Sequence, residues 1–262
     1  MKELSLQEQH SKLLDIAKEF DRICVENNIP YYMLGGTMLG AIRHKGFIPW
    51  DDDMDFGVPY EYYDKLIALI KNNIKSPYKC LTYKDSKRII FPYFKIEDSN
   101  TVISAMHTNQ IDEDSIGLNI DIFPLFLCEK NDPKVKKARK YISYSAYIYA
   151  DTFHNSKSRR FIKKVVQTLC PLRASWFVER SLQYANEIKK GPYLANIYGR
   201  WKSKEMIPLE WYGQSKRYDF EQTSFIGIED YERYLVQLYK DYMTIPPESK
   251  RIMHGGKVYV KD

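Results

Sequence analysis

The chain has 262 residues, 44% of them hydrophobic, and its 40 basic and 34 acidic side chains leave a net charge of +6. This composition supports a sizeable core, and the mild, evenly mixed charge argues against a nucleic-acid-binding protein while favouring anionic substrates or an anionic membrane surface. Residues 1–23 carry charges every few positions, and no run approaches 18 apolar residues. We therefore expect a cytoplasmic protein with neither a signal peptide nor a membrane-spanning helix.

The four cysteines are widely spaced, at positions 24, 80, 128 and 170. They form no CxxC pair, and no histidine lies near them at zinc-finger spacing. We expect reduced, buried thiols.

The first predicted element is a helix. Ser5 and Glu8 have the spacing of a capping box, and apolar residues then recur at three- or four-residue intervals as far as Cys24. The helix should end at residues 27–30, where two asparagines, an isoleucine and a proline follow one another.

A short apolar strand over residues 31–34 follows and runs into a glycine turn at residues 35–37. Residues 37–42 are compatible with one or two helical turns, and residues 46–50 form a loop that contains glycine, proline and tryptophan. The predicted order is strand, glycine turn, helix.

Residues 53–58 have the alternating pattern of a second strand. Because successive strand side chains point to opposite faces, Asp53 and Asp55 should emerge on the same side. Pro59 suits the first position of a helix, and the apolar residues between 63 and 74 predict about four helical turns.

Further strands are predicted over residues 78–83, 89–96 and 117–123. Pro92 indicates an edge position or a bulge in the second of them. The third carries Asp121 among apolar neighbours, where an unpaired charge would be costly, which makes Asp121 a candidate functional residue. A strand-end cap is the alternative explanation of this residue.

Beyond residue 130 the chain is rich in Lys, Arg and Tyr, and residues 134–150 and 158–190 are predicted to be helical. Residues 191–227 are interpreted as an ordered loop and residues 229–242 as a last helix.

This order of elements predicts an α+β fold. A small mixed sheet flanked by helices is expected over residues 1–130, and a mainly helical half that covers the acceptor side is expected over residues 131–262.

Four carboxylates fall within five residues, at Asp51, Asp52, Asp53 and Asp55. Because like charges repel, a fold that holds them together usually needs a cation, and hard oxygen ligands without nearby His or Cys favour Mg²⁺ or Mn²⁺. Asp53 and Asp55 can hold the ion from one face of the strand, and Asp51 with Asp53 is the alternative pair.

A calcium loop and a solvated acidic loop are the other interpretations of this segment. The EF-hand pattern fails because Phe56 stands where glycine is needed and Tyr62 where the bidentate glutamate belongs. A solvated loop seldom alternates with apolar residues, so the metal site is favoured.

The glycine turn supplies the second half of a phosphate site. Backbone N–H groups at residues 35–37, at the start of a helix, can hold phosphate oxygens, although close packing also explains the glycines. Arg43, His44 and Lys45 add positive charge suited to a leaving phosphate, or else form an exposed turn.

These motifs resemble the LicD/fukutin family of the nucleotidyltransferase-fold superfamily. The resemblance begins at Gly36 and Thr37, includes GAIRHKGFIPWDDDMD and covers nearly the whole chain. Its further segments are NIDIFPL from Asn119, YGRWKSKEMIP from Tyr198, FE at Phe220 and LYKDYMTIPPESKR from Leu238.

The resemblance implies a division of roles among these residues. Gly36 and Thr37 match the turn that grips the donor phosphates, Asp53 and Asp55 match the carboxylates that bind Mg²⁺, and Asp121 matches a third carboxylate from a later strand. We expect all three aspartates to be catalytic, with Asp121 orienting or deprotonating the sugar hydroxyl that attacks the distal phosphorus.

The resemblance also implies transfer of a phosphorylated alcohol from a cytidine diphosphate donor, with release of CMP. We expect CDP-choline as the donor and a cell-surface glycan precursor (teichoic acid, lipopolysaccharide or capsule) as the acceptor. Transfer of glycerol or ribitol phosphate is the alternative reaction. Two further alternative functions are an Asp-x-Asp glycosyltransferase and a non-catalytic metal-binding protein.

Two further features bear on the partners. Choline needs an aromatic cage, for which Trp201, Trp211 and Tyr212 are candidates, although such rings also serve ordinary packing. The basic stretch over residues 134–164 is compatible with contact to the inner face of an anionic membrane that presents a lipid-linked glycan, or with a solvated face.

Overall fold

The computed structural model describes residues 1–104, 110–150, 165–166, 168, 173–251 and 256–261. In this part of the chain, seven α-helices accompany a seven-stranded mixed sheet, a three-stranded sheet and a two-stranded hairpin. The predicted α+β class is confirmed.

The helices are α1 (Leu6–Glu26), α2 (Gly35–Arg43), α3 (Tyr60–Asn73), α4 (Pro133–Tyr149), α5 (Ala174–Asn186), α6 (Leu209–Tyr212) and α7 (Tyr231–Tyr239). The predicted capping box is present at α1: the Glu8 amide donates to Ser5 Oγ at 3.3 Å, and the Ser5 amide donates to the Glu8 carboxylate at 2.8 Å. Pro133 lies at the start of α4, behind the N-cap Asp132. The predicted helix over 158–190 is confirmed at α5, and most of its earlier part lies outside the described residues.

The large sheet places its longest strand near the centre. Its strands are β2 (Tyr32–Met33), β3 (Asp55–Pro59), β7 (Asn119–Cys128), β5 (Phe94–Asp98) and β4 (Tyr78–Leu81) in spatial order, with β8 (Tyr193–Ala195) and β9 (Met206–Pro208) continuing from the far end of β7. The β3–β7 pair is parallel and the other pairs are antiparallel.

The interpretation of residues 191–227 as a loop is wrong. This segment contains β8, β9 and the hairpin of β10 (Lys216–Phe220) and β11 (Thr223–Gly227). These strands have only three to five residues each and are surrounded by glycines, prolines and charged residues. Their alternation of apolar and polar residues is therefore too short to predict a strand from local sequence.

Two strand predictions also shift. The predicted strand over residues 89–96 begins at Phe94, because residues 91–93 bend around Pro92. A third sheet joins β1 (Lys2–Glu3), β12 (Val258–Val260) and β6 (Thr101–Ile103), bringing the two ends of the chain together. No local pattern predicted this pairing.

One hydrophobic cluster draws on both halves of the chain, from Leu13 and Phe56 to Leu194 and Leu235. The domain boundary near residue 130 stays a prediction. The three described cysteines are buried and free, as predicted, and Cys170 lies outside the described residues. In the described part of the chain, no helix is long and apolar enough to span a membrane.

Candidate active site

Three charged side chains form a row across the centre of the large sheet. The parallel β3–β7 register pairs Asp55 with Asp121, and the antiparallel β5–β7 register pairs Asp121 with Lys95. Directly paired residues project from the same face of a sheet, so the three side chains are neighbours. Lys95 Nζ forms an ion pair with the Asp121 carboxylate and donates to Asn119 Oδ1 at 2.9 Å.

Two members of this row, Asp55 and Asp121, line a cavity of about 530 Å³. Asp51, Asp53, Asp55 and Asp121 all line it, together with Gly36 at the start of α2. The structure therefore brings the predicted strand carboxylates and the predicted glycine turn to one cavity. Asp53 lies two residues before the first residue of β3, so its place comes from the preceding loop rather than from strand alternation.

A second cavity, of about 450 Å³, meets the first at the carboxylates. It shares Asp53 and Asp121 with the first cavity and is also lined by Lys95, Arg88 and Asn119. The Asp121 carboxylate therefore has access to two separate spaces.

The negative charges of the acidic residues repel one another. Burial raises the pKa of Asp55 well above its usual value, and the negative charges of Asp53, Asp121 and Asp51 raise it further. A bound cation would relieve this repulsion. Among the described residues, no three His, Cys, Asp or Glu side chains are gathered closely enough to hold a metal ion.

The start of α2 is tied directly to the carboxylate strand. Thr37 Oγ1 accepts a hydrogen bond from the backbone N–H of Asp55 at 2.8 Å, and the Gly35 amide donates to the Tyr234 hydroxyl at 2.8 Å. A Cβ on Gly36 would lie 2.7 Å from Asp51 Oδ2, so a larger residue there would displace that carboxylate. Thr37 thus positions Asp55, and its role in phosphate binding stays a prediction.

The predicted cationic residues lie at the other end of α2. Arg43 donates from Nη1 to the Tyr242 carbonyl at 2.7 Å and from Nε to the His44 ring at 2.9 Å. Burial and the Arg43 charge lower the pKa of His44. Lys45 is exposed, and its carbonyl accepts from the Glu221 amide at 2.7 Å. None of Arg43, His44 and Lys45 lines either cavity, so their role in donor binding stays a prediction.

The loop between α2 and β3 is held by two distant elements. Glu221, in the turn of the β10–β11 hairpin, accepts from the Phe47 amide at 3.1 Å. His10 on α1 stacks on Phe47 with ring centroids 4.1 Å apart, and its Nε2 lies 2.6 Å from the Asp51 carbonyl oxygen. These contacts explain why the Phe220–Glu221 motif accompanies the acidic motif: the hairpin helps to place Asp51.

Replacing Gly40 with alanine should destabilise the protein. The new Cβ would clash with the carbonyl oxygen of Gly46, so α2 and the loop would have to separate. Overpacking costs about 1–3 kcal/mol, which exceeds the roughly 0.5–1 kcal/mol of helix propensity that alanine gains. Urea unfolding of Gly40→Ala measures the net effect. Ser11→Ala, at an exposed position of α1, is the control in which the clash is absent, and equal stability of the two variants would contradict the prediction.

Several cavity residues were missed by sequence reasoning. They are Lys95 beside Asp121 and, on the wall of the first cavity, Asn196, Tyr198, Arg200, Glu205 and Tyr239. The signals for this wall were the YGRWKSKEMIP segment and the LYKDYMTIPPESKR segment, which contains Tyr239, and neither segment had given a role to these residues.

Of the predicted cage residues, Trp201 lines the cavity. Tyr212 is fully buried and donates its hydroxyl to the Leu194 carbonyl at 3.2 Å, and Trp211 packs against Arg233. These two rings serve packing.

Strand carboxylates beside a glycine helix start, on a mixed sheet, define a nucleotidyltransferase-type domain. The family model described as LicD/FKTN/FKRP, nucleotidyltransferase domain, matches residues 28–184, and the chain belongs to this family. The predicted resemblance is confirmed.

Among similar proteins, the lipopolysaccharide cholinephosphotransferase LicD of Haemophilus influenzae is 29% identical over 97% of both chains. An uncharacterized protein of Rickettsia prowazekii is 45% identical over 49 residues, 19% of this chain and 18% of its own length. The solution structure of the antibiotic-resistance factor ANT(2'')-Ia covers 68% of this chain and 96% of its own, with 13% identity and a TM-score of 0.31, too low to support a conclusion.

Proposed function

We propose that this protein transfers phosphocholine from CDP-choline to a sugar hydroxyl of a cell-surface glycan precursor and releases CMP. The family match, together with the name of the full-length relative, supports phosphotransferase activity. The name of the full-length Haemophilus influenzae relative supports choline as the transferred alcohol and a lipopolysaccharide-type glycan as the acceptor. The observation that carries the proposal is the pairing of Asp55 with Asp121 on the wall of a cavity that also contains the start of α2.

The carboxylate set fits a divalent cation. Asp53 and Asp55 would hold Mg²⁺, or Mn²⁺, because both line the cavity and the pKa of Asp55 is raised by its acidic neighbours. When bound, the ion would neutralise charge on the donor pyrophosphate.

The chain's own residues would do the rest of the work. The first amides of α2 and the helix dipole favour donor phosphate oxygens at Gly36. Asp121 would accept the proton of the sugar hydroxyl while the hydroxyl oxygen attacks the distal phosphorus. The bond between that phosphorus and the bridging oxygen would break, and CMP would leave with the bridging oxygen. Because Asp121 lines both cavities, a donor in the first and a hydroxyl in the second would meet at this carboxylate.

A donor panel tests this proposal. The protein, with Mg²⁺, is incubated with CDP-choline, CDP-ethanolamine, CDP-glycerol or CDP-ribitol, and CMP is measured, since slow hydrolysis can report donor choice without the acceptor. We expect CMP from CDP-choline in clear excess over the other donors. Preference for a polyol donor would overturn the choline assignment and keep the reaction type. Turnover of nucleotide sugars with release of a nucleoside diphosphate would support a glycosyltransferase instead.

The location of the acceptor also remains a proposal. Lys137, Lys140, Tyr144 and Tyr147 recur at three- or four-residue intervals and are exposed on α4, which supports contact with an anionic membrane surface. Such contact would bring the active site to a lipid-linked glycan at the inner face of the membrane.

A further inference from the structure

A buried carboxylate lies in the wall of the first cavity, within the YGRWKSKEMIP segment. Glu205 is only 9% exposed, lines the cavity and accepts from the Trp201 backbone N–H at 2.7 Å. Burial raises the pKa of Glu205 to about 7, against the opposing effects of this hydrogen bond, Arg139 and Asn196. Buried carboxylates are normally paired with a cation, and the charge of Arg139 does act on Glu205, but no ion pair between the two is formed within the described residues.

Two aromatic rings form a corner of the same cavity. Trp201 and Tyr239 have ring centroids 5.4 Å apart and planes at 79°. Tyr239 also lies close to the strand carboxylates. If Gly35 carried a Cβ atom, that atom would be 3.7 Å from the Tyr239 hydroxyl and 3.7 Å from Asp55 Oδ2, so these two groups face the same point. Burial raises the pKa of Tyr239, and the charges of both Asp55 and Glu205 add to the shift. Tyr239 therefore lies between the strand carboxylates and Glu205.

We infer that Glu205, Trp201 and Tyr239 recognise the quaternary ammonium group of the donor alcohol. This inference rests on the proposed function, because the transferred group must be phosphocholine. A trimethylammonium group has no N–H to donate, so a protein can recognise it only through aromatic surfaces and negative charge. The corner and the buried carboxylate supply both, next to the place where the distal phosphate would lie.

Other occupants fit these residues less well. A metal ion would require several oxygen ligands, whereas Glu205 is accompanied by aromatic rings. Lys204 does not form an ion pair with Glu205. Its Nζ lies 5.3 Å from the centroid of the Trp201 ring and donates to the Leu238 carbonyl at 3.0 Å, and Lys204 does not line the cavity. A polyol would gain little from aromatic rings and would need hydroxyl and amide partners.

The test compares CDP-choline with its neutral isostere, in which the 3,3-dimethylbutyl group replaces choline and carbon replaces the charged nitrogen. The readout is the ratio of kcat/KM for the two donors. We expect the wild type to prefer CDP-choline by about tenfold or more, since cation–π contacts and a nearby carboxylate each favour the charged donor. Glu205→Gln should lower the ratio towards one, because only the cation–π contacts then favour the charged donor, while the glutamine keeps an acceptor for the Trp201 amide.

A purely structural role would give a different result, because a distorted cavity would slow both donors equally and leave the ratio unchanged. That outcome would overturn the inference. Glu210→Gln, at an exposed position of α6, is the matched control and should leave the ratio at its wild-type value. Trp201→Leu provides a second route that does not depend on the folding of the Glu205 variant, and it should also lower the ratio.

The failure of the proposed function would be distinguishable from the failure of this inference. If the wild type consumes a polyol donor and neither choline-type donor, the proposed donor is wrong. If the wild type consumes CDP-choline and both variants keep the wild-type ratio, the donor stands and the recognition site is wrong.

Discussion

Replacing Asp55 with asparagine is expected to slow the proposed phosphocholine transfer by about 10² to 10³, equivalent to roughly 3–4 kcal/mol of transition-state stabilisation. Asp55 begins β3, lines the cavity and stands beside Asp121 in the sheet. Asparagine has nearly the same shape but lacks the charge that would hold the cation. Steady-state CMP release with saturating Mg²⁺ measures the loss. Asp53→Asn should lose a similar factor.

The same substitution should leave the fold intact or more stable. The pKa of Asp55 is raised above that of an unfolded chain, so ionisation at neutral pH costs folding free energy, and this cost grows as the pH rises from the unfolded to the folded pKa. Asparagine removes the cost. We therefore expect the Tm of Asp55→Asn at pH 7 to equal or exceed the wild-type value, with the difference shrinking at lower pH.

Two controls make this result interpretable. Asp64→Asn, at an exposed position of α3, loses the same charge away from the cavity and should keep full activity. Added Mg²⁺ should raise the Tm of the wild type and of Asp64→Asn more than that of Asp55→Asn. Near-normal turnover in a folded Asp55→Asn protein would remove this residue from the active site.

Local patterns predicted the elements whose stability is decided locally. The capping box of α1 acts within four residues, so its sequence signal was enough. Asp121 was also identifiable, because a carboxylate on an otherwise apolar strand needs a reason to be there.

Register and long-range pairing could not be predicted in this way. Lys95 lies between the buried residues Phe94 and Ile96, an alternation that many surface strands share, and only its pairing opposite Asp121 makes it part of the site. Glu205 and Tyr239 reach the cavity from the C-terminal half, and the contacts that bring them there are far apart in the chain. The interpretation of residues 191–227 was wrong for the same reason, since strands of three to five residues are stabilised by their partners rather than by their own pattern.

Replacing Asp121 with asparagine is the second substitution with a large expected effect. If Asp121 accepts the proton of the attacking hydroxyl, its loss should lower kcat by about 10² to 10⁴, the usual contribution of a general base. The KM for CDP-choline should change little, because Asp121 is not assigned to the donor. Asp114→Asn, in the exposed loop before β7, is the matched control. A raised KM with unchanged kcat would instead make Asp121 a donor-binding residue.

Lys95 tests whether Asp121 acts as part of an ion pair. Both side chains are about four-fifths buried, so the Lys95 charge is only partly screened by solvent, and the ion pair holds the Asp121 carboxylate in position. Lys95→Met should therefore lower kcat, but by a smaller factor than Asp121→Asn. In the double variant the two effects should not add, because a base that is absent cannot be oriented by its partner. Additive losses would mean that Lys95 acts on the substrate independently of Asp121, and the second cavity, which Lys95 also lines, would then be the place to look for its ligand.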